Sequence, residues 1–169
     1  MKDDRKLVMV IDTREQAPLP VGEHITSGLR AGDYSFVGGE DFFAVERKSV
    51  EDLVGSLTRD RERFENECHR LRGYCFKRLL IVGKESDVWN HGYRSRAVPK
   101  AIMHSLYAFE IRYDLPFVFC AQPEEAGRLI RRWAAYYVRE VLYKMAKSIE
   151  GGLVDGTESA AFGSGEMEH

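Results

Sequence analysis

A mixed α/β sheet flanked by helices is the fold class that three features of the sequence predict. Short apolar runs have strand length, glycine-punctuated segments cluster near the N-terminus, and apolar stripes at helical spacing lie between and after them. The 169 residues suffice for one domain with a tail, and at this length about 70% of the unfolded chain's surface can be buried.

Leu7 to Ile11 (LVMVI) reads as a buried strand that ends in the polar group Asp12-Thr13-Arg14-Glu15. The segment QAPLPVG, 16–22, carries two prolines and a glycine, so it is a loop and not a crossover helix. His24 to Leu29, Asp33 to Val37 and Asp41 to Lys48 alternate with turn signals at Arg30-Ala31-Gly32 and at Gly38-Gly39-Glu40-Asp41, and are expected to form a three-stranded meander. Ser49 opens a helix in which Val50, Leu53, Val54 and Leu57 share a face; after a break at Thr58 to Asp60, Phe64, Cys68 and Leu71 continue the stripe. Arg78 to Val82 (RLLIV) is a buried strand, and Glu85 to Arg96 reads as a loop. Pro99 suits a first helical turn, with Val98, Ile102, Leu106 and Phe109 facing inward. Leu115 to Ala121 is a further strand. Pro123 opens the longest helix, expected to reach about Ile149, and glycine, serine and glutamate dominate the disordered tail expected beyond it.

The balance of 25 Lys and Arg against 27 Asp and Glu excludes a globally basic nucleic-acid binder but not a basic groove offset by acidic clusters elsewhere. Three cysteines without a C-x-x-C pair argue against a disulfide framework and a structural zinc site, and point to an intracellular, reducing compartment. None of the five histidines has ligand spacing. No run approaches the roughly 18 apolar residues of a membrane span, and the charged start does not resemble a signal peptide, so a soluble cytoplasmic protein is expected.

Charged groups fall at the ends of adjacent predicted strands: Asp12, Asp33, Glu46 and Lys48. A two-residue period puts Glu46 and Lys48 on one face, downstream of Phe42 and Ala44, with Arg47 on the other. A carboxylate and an amine at the end of a core strand are costly unless they pair or bind something. Two carboxylates with phosphate oxygens and waters suit Mg²⁺, and a lysine beside such an ion positions or deprotonates a nucleophile. By itself the pattern reads equally as a salt bridge.

In order and approximate spacing, Asp12-Thr13-Arg14-Glu15, Gly32-Asp33-Tyr34, and Val45-Glu46-Arg47-Lys48 followed by Asp52 resemble the D-x-R-E, G-D-Y and E-R-K-x-x-x-D motifs of the XPF-type structure-specific endonucleases. The resemblance extends over about residues 7–148, through RLLIVG, Pro99-Lys100-Ala101-Ile102, Leu115-Pro116-Phe117 and Pro123-Glu124-Glu125. It implies a restriction-endonuclease-like fold, with residues 1–149 as the nuclease domain and 150–169 as a polar tail. It implies Asp33 and Glu46 as metal ligands, Asp12 as a further acid at the metal, Lys48 as the catalytic lysine, and Arg14, Glu15, Arg47 and Asp52 as supporting catalytic groups. The cofactor would be Mg²⁺, with Mn²⁺ as a substitute.

Several of these residues carry a structural reading as well. Asp52 lies three residues after Ser49, as in a capping box; Arg14 and Glu15 can pair with each other or with Arg47; Tyr34 reads as core. In the arginine-rich stretch, Arg61 and Arg63 are candidates for DNA phosphate, although such runs are usually solvated helix faces with i, i+4 pairs. Arg94, Arg96 and Lys100 form a second candidate DNA contact. Two departures from the family pattern stand out: the short QAPLPVG loop replaces a helix, and a polar tail stands where a tandem helix-hairpin-helix domain usually follows. The expected activity is metal-dependent DNA endonuclease, at junctions of duplex and single strand in repair or recombination. The alternatives are a restriction-like nuclease of mobile or phage DNA and a catalytically idle partner subunit. The broad apolar circumference of the last helix (Trp133, Tyr136, Tyr137, Val141, Leu142, Met145) predicts a homodimer, with a separate DNA-targeting protein as the other possible partner.

Overall fold

The computed structural model describes residues 6–152; the polar tail expected from the sequence lies, from residue 153 on, outside the described residues. Six strands form one mixed sheet: β1 (Met9–Asp12), β2 (His24–Ser27), β3 (Tyr34–Phe36), β4 (Phe43–Ser49), β5 (Phe76–Val82) and β6 (Phe117–Cys120). Their order across the sheet is β2-β1-β3-β4-β5-β6. The strands β1/β3 and β3/β4 are antiparallel; β1/β2, β4/β5 and β5/β6 are parallel. Seven helical segments accompany them in the order α1 (Val50–Leu57), α2 (Arg61–Leu71), α3 (Glu85–Trp89), α4 (Pro99–Tyr113), α5 (Pro123–Tyr137), a π-helical turn (Val138–Leu142) and α6 (Tyr143–Gly152).

The expected meander is corrected at its first strand. Residues His24–Ser27 do not form a hairpin with β3 but lie parallel to β1 at the sheet edge, all four exposed. The sequence HITS lacks the apolar alternation that would fit a sheet interior, whereas β3 is wholly buried and takes the place beside β1. Gly32, at φ +75°, makes the turn into β3; a Cβ there would lie 3.1 Å from the Val45 carbonyl oxygen, so only glycine fits.

The residues of β4 divide between the two faces of the sheet. Ala44 joins a core built with Leu53, Val54 and Leu57 of α1, Phe64, Cys68 and Leu71 of α2, and Ile102, Met103, Leu106 and Phe109 of α4. The rings of Phe64 and Phe109 stack at 5.3 Å. Phe43 stacks at 4.5 Å on Phe76 of β5, and Trp133 of α5 meets Phe76 at 5.8 Å. With Ala126, Ile130 and Ala134 fully buried, α5 closes that second side. It also abuts the 16–22 loop: a Cβ on Gly127 would fall 2.5 Å from the Pro20 carbonyl oxygen, and Arg131 Nη1 donates to the Val21 carbonyl at 3.2 Å. The loop is thereby anchored without a helix of its own.

Ser49 caps α1 as expected, its Oγ accepting from the Asp52 N–H at 3.0 Å. The 85–96 segment is not wholly loop. Residues Glu85–Trp89 form the short α3, where Asp87 Oδ2 accepts from the Lys84 N–H at 2.8 Å and the Trp89 indole donates to Glu85 at 3.0 Å. One turn and a half of helix is too short to leave a periodic pattern. The long final helix is likewise revised, since α5 ends at Tyr137 and the pitch widens over the π-helical turn, an irregularity that apolar spacing does not register. The described residues from Tyr136 to Gly152 belong to a second compact unit. There Glu140 takes both Arg139 and Lys144, and the Arg139 guanidinium lies 4.3 Å from the Tyr136 ring.

Candidate active site

The C-terminal ends of β1 and β4 and the turn into β3 converge on a cleft of about 450 Å³ whose walls include Arg14, Glu15, Asp33, Glu46, Arg47, Lys48, Asp52, Arg63 and Glu67. A smaller hollow of about 200 Å³ shares Lys48, Asp52, Arg63 and Glu67 and extends past Ser56, Arg59 and Asp60.

Asp33 immediately precedes β3. Its N–H donates to the Val45 carbonyl at 2.8 Å and its carbonyl accepts from the Asp12 N–H at 2.9 Å, so the backbone is fixed from both neighbouring strands. Its Oδ2 accepts from the Arg47 N–H at 2.8 Å. Burial, followed by the nearby Glu46 carboxylate, pushes the Asp33 pKa up to about 8, against the Arg47 hydrogen bond and the Lys48 charge. Glu46, 8% exposed, is also raised by burial and by the charges of Glu67 and Glu15, although Lys48 opposes the shift. Two cleft carboxyls whose proton affinity is raised by burial and by neighbouring carboxylates form a site electrostatically short of positive charge.

Lys48 supplies part of that charge. Its Nζ lies 3.0 Å from Glu46 Oε1, 3.4 Å from Glu67 Oε2 and 4.7 Å from the centre of the Phe64 ring. Burial lowers the proton affinity of this amine, but the surrounding carboxylates more than reverse the effect, and its pKa stands above the ordinary lysine value. Lys48 is therefore an ammonium here, suited to stabilising negative charge and to donating hydrogen bonds rather than to taking a proton.

Asp12 is held by hydrogen bonds from Arg14 and Leu29. It is 1% exposed, and its Oδ1 accepts from Arg14 N at 2.9 Å and Arg14 Nε at 2.6 Å. Its Oδ2 accepts from Leu29 N at 2.7 Å and Arg14 Nη2 at 3.2 Å. Burial pushes its pKa up, but these donors outweigh burial and hold the carboxyl below the usual range. Asp12 spends its lone pairs on Arg14 and on the chain entering Leu29, and does not join Asp33 and Glu46 as a third carboxylate. Among the described residues no group of three or more His, Cys, Asp or Glu side chains is placed to hold a metal ion.

The supporting residues also sort differently. Arg14 pairs with Asp12 rather than with Glu15, while Glu15 faces Arg47 Nη1 at 3.8 Å. The Tyr34 hydroxyl donates to Glu15 Oε2 at 3.3 Å and accepts from the Leu19 N–H at 2.8 Å, so the buried ring ties the cleft to the 16–22 loop. The Nε of Arg47 is a buried donor that lacks a hydrogen-bond partner. Asp52 accepts from Ser49 Oγ at 2.7 Å and still lines both hollows, which joins its two sequence readings in one position. Arg63 reaches the cleft. Arg61 bonds to Glu65 and the Leu57 carbonyl and lies over Phe109 at 4.8 Å, a structural use of the side chain, and it lines neither hollow. Arg94, Arg96 and Lys100 are exposed but line neither hollow; Arg94 is tied to the start of α1, its N–H donating to Glu51 Oε2 at 3.1 Å. Sequence reasoning passed over Arg30, Arg59, Glu67 and Arg70, all of which line the hollows. Arg59, Glu67 and Arg70 lie in a charged stretch with many equivalent members, and Arg30 reads only as part of a turn.

The mixed sheet and its flanking helices have the restriction-endonuclease-like fold, with the carboxylate–lysine cleft at the ends of its strands. The ERCC4 domain family model matches residues 11–132; the chain belongs to the ERCC4 domain family. Two solved structures share its fold. One is XPF from Aeropyrum pernix, with a TM-score of 0.62 and 23% identity over 76% of this chain and 60% of that one. The other is XPF from Aeropyrum pernix in complex with DNA, with a TM-score of 0.64 and 22% identity over 80% of this chain and 66% of that one. The chain thus spans less than two thirds of the length of either. No curated protein matches the chain. Among the described residues no helix is long and apolar enough to cross a membrane.

Proposed function

We propose that residues 1–149 are a metal-dependent DNA endonuclease domain that hydrolyses phosphodiester bonds at junctions between duplex and single-stranded DNA, in repair or recombination. The observation that carries this reading is the shared cleft of Asp33, Glu46 and Lys48, in which two carboxyls with raised pKa values stand beside a single buried ammonium. That donor set fits Mg²⁺, which binds through one or two carboxylates and otherwise keeps waters and phosphate oxygens. Asp33 and Glu46 would hold the ion; Asp12 would not, because its oxygens are engaged. When bound, the ion supplies Lewis-acid activation of water and charge neutralisation at phosphorus.

The rest of the chemistry falls to the chain. Hydrolysis forms a bond from a water oxygen to phosphorus and breaks a phosphorus–oxygen ester bond, with negative charge building on the phosphoryl oxygens. Lys48, held charged between two carboxylates, faces that charge and stabilises it more than it stabilises the ground state. Arg14, Arg63 and Arg70 on the cleft rim supply phosphate contacts, with Arg94, Arg96 and Lys100 as a second contact farther along the duplex. The protein of known structure with DNA bound supports DNA as the substrate class. Asp33, Glu46 and Lys48 are all present and grouped, which favours an active subunit over an idle partner; a restriction-like nuclease of mobile DNA would use the same residues on another target. Among the described residues the cysteines are free, which fits an intracellular location.

Cleavage of a DNA panel (splayed arm, flap, four-way junction, linear duplex and single strand) in Mg²⁺, Mn²⁺, Ca²⁺ and chelator tests this reading. Branched substrates are cut in Mg²⁺ and Mn²⁺, and neither Ca²⁺ nor chelator supports cutting. Full activity in chelator would remove the metal mechanism, and preference for linear duplex would favour the restriction-like alternative.

A further inference from the structure

Glu67 is the one cleft carboxylate with no place in the motifs that resemble the family, and its surroundings are specific. It projects from the last turns of α2 toward the end of β4, 19 residues after Lys48 in sequence, and its side chain is only 19% exposed. Its Oε2 lies 3.4 Å from Lys48 Nζ, the same ammonium that Glu46 Oε1 meets at 3.0 Å. Its Oε1 lies 3.6 Å from Arg63 Nε, one turn earlier on the same helix, and that arginine is 83% exposed. A surface i, i+4 pair leaves both partners in water. Here the carboxylate turns inward, and only the arginine stays outside. Phe64, on the same helix turn, places its ring 4.7 Å from the same Nζ.

From this geometry we infer that Glu67 is a positioning residue for Lys48, acting with Glu46 and Phe64 to hold the ammonium at one point on the cleft wall. The inference rests on the nuclease reading above. Lysine has four rotatable side-chain bonds and a compact charge that strong hydration draws toward solvent. One carboxylate fixes a distance but leaves Nζ free to swing about it, whereas two carboxylates from different elements and a ring face on the same ammonium leave it less room. Glu46 would in addition be shared with a metal ion when one binds, and would then hold Lys48 less tightly; Glu67 is the anchor that a metal does not compete for. The Arg63 contact orients Glu67 in turn and brings an exposed guanidinium to the point where the two hollows meet.

A mutant set tests the inference: wild type, Lys48→Ala, Glu67→Ala, Glu67→Gln and the Lys48→Ala/Glu67→Ala double variant. Each is assayed for kcat, KM and DNA affinity on the best-cut substrate of the panel. Glu67→Ala is expected to lower kcat on the order of 10²-fold, as a 1 Å misplacement does, with KM and DNA affinity within about threefold of wild type. Glu67→Gln, which keeps an acceptor of the same length, returns kcat to within about tenfold of wild type. The double variant is no slower than Lys48→Ala, since a group that acts only through Lys48 adds nothing once it is gone. Independently of cleavage, the Lys48 side-chain N–H signal in ¹H–¹⁵N spectra of the protein in chelator is slowly exchanging in wild type and lost in Glu67→Ala. Wild-type kcat in Glu67→Ala, additive losses in the double variant, or an unchanged Lys48 signal would each overturn the positioning role. No cleavage by wild type under any metal condition would overturn the nuclease reading instead, and the Lys48 signal would still report on the geometry.

Discussion

The main-chain N–H of Arg47 donates to Asp33 Oδ2 at 2.8 Å, across the antiparallel join of β3 and β4. This single bond places a carboxylate from one strand beside the Glu46 carboxylate of the next. It does not offset the cost of bringing them together, because burial and the Glu46 charge still push the Asp33 pKa up to about 8.

A pH dependence of stability follows. A carboxyl whose folded pKa lies above its unfolded value, here about 8 against 3.8, binds more protons when folded, so stability falls as pH rises between those values. In chelator the melting temperature should therefore decline from about pH 5 to pH 8. Asp33→Asn should flatten that slope and at pH 8 raise the melting temperature by roughly 3 °C or more, corresponding to at least about 1 kcal/mol in a domain of this size. Mg²⁺ should give a similar gain to wild type and none to Asp33→Asn. A wild-type melting temperature that rises over this range would refute the electrostatic account of the pair. Thermal unfolding monitored by circular dichroism makes the measurement.

Asp12 should behave in the opposite way. Its two oxygens accept four hydrogen bonds, one of them from the buried Leu29 N–H, so Asp12→Ala leaves donors unpaired and costs about 2–4 kcal/mol. Asp12→Asn, which keeps one acceptor oxygen, should fold and bind Mn²⁺ with wild-type affinity in calorimetry. A tenfold or greater loss of Mn²⁺ affinity in a stable Asp12→Asn protein would restore Asp12 to the metal site.

How far the site was legible in the sequence depends on where each residue sits. Glu46 and Lys48 stand on β4, whose two-residue period fixes the face, so the alternation Ala44, Glu46, Lys48 could be read directly, and Asp33 sits at the turn immediately before β3. Asp12 stands on a strand as well, yet its partner is the N–H of Leu29, 17 residues away. That contact follows from β2 running parallel to β1, with Ser27 opposite Asp12 and Leu29 just beyond, an arrangement that local turn signals did not reveal. Glu67 and Arg61 lie on one helix amid alternating charges, and which of them turns inward depends on the packing of α2 against Lys48 and Phe109, not on spacing.

Asp52 combines a cap and a cleft position, and Asp52→Asn separates the two. Ser49 Oγ, not the Asp52 side chain, accepts from the helix N–H, so stability should change by less than about 1 kcal/mol. Asparagine can still accept from the Ser49 hydroxyl but carries no charge beside the cleft. Cleavage should fall on the order of tenfold, within the range expected when one charged group at such a site is lost. Full activity in the stable variant would leave the cap as the residue's whole role.

Assembly can be tested on the second unit alone in its chemistry, while using the whole chain. Val141, Met145 and Ile149 recur every four residues, 40%, 59% and 59% exposed, with Tyr136 and Tyr143 also more than half exposed. An apolar stripe of this kind on a helix loses favourable burial in a monomer, and the expected outcome is that it forms an interface. Two copies related by a two-fold axis would cover it with the same residues from each, and the paired domains would enlarge the DNA footprint of a single cleft. The full chain should therefore scatter light as a dimer at micromolar concentration and dissociate on dilution. Met145→Glu, which puts a charge in the middle of the stripe, should shift the dissociation midpoint at least tenfold upward, because a buried unpaired charge is costly at an interface. Its unfolding should be unaffected, since the position is exposed in the single chain. A wild-type chain that is monomeric throughout the micromolar range and still cuts DNA would sink the dimer, and would direct attention to a separate protein as the source of substrate choice.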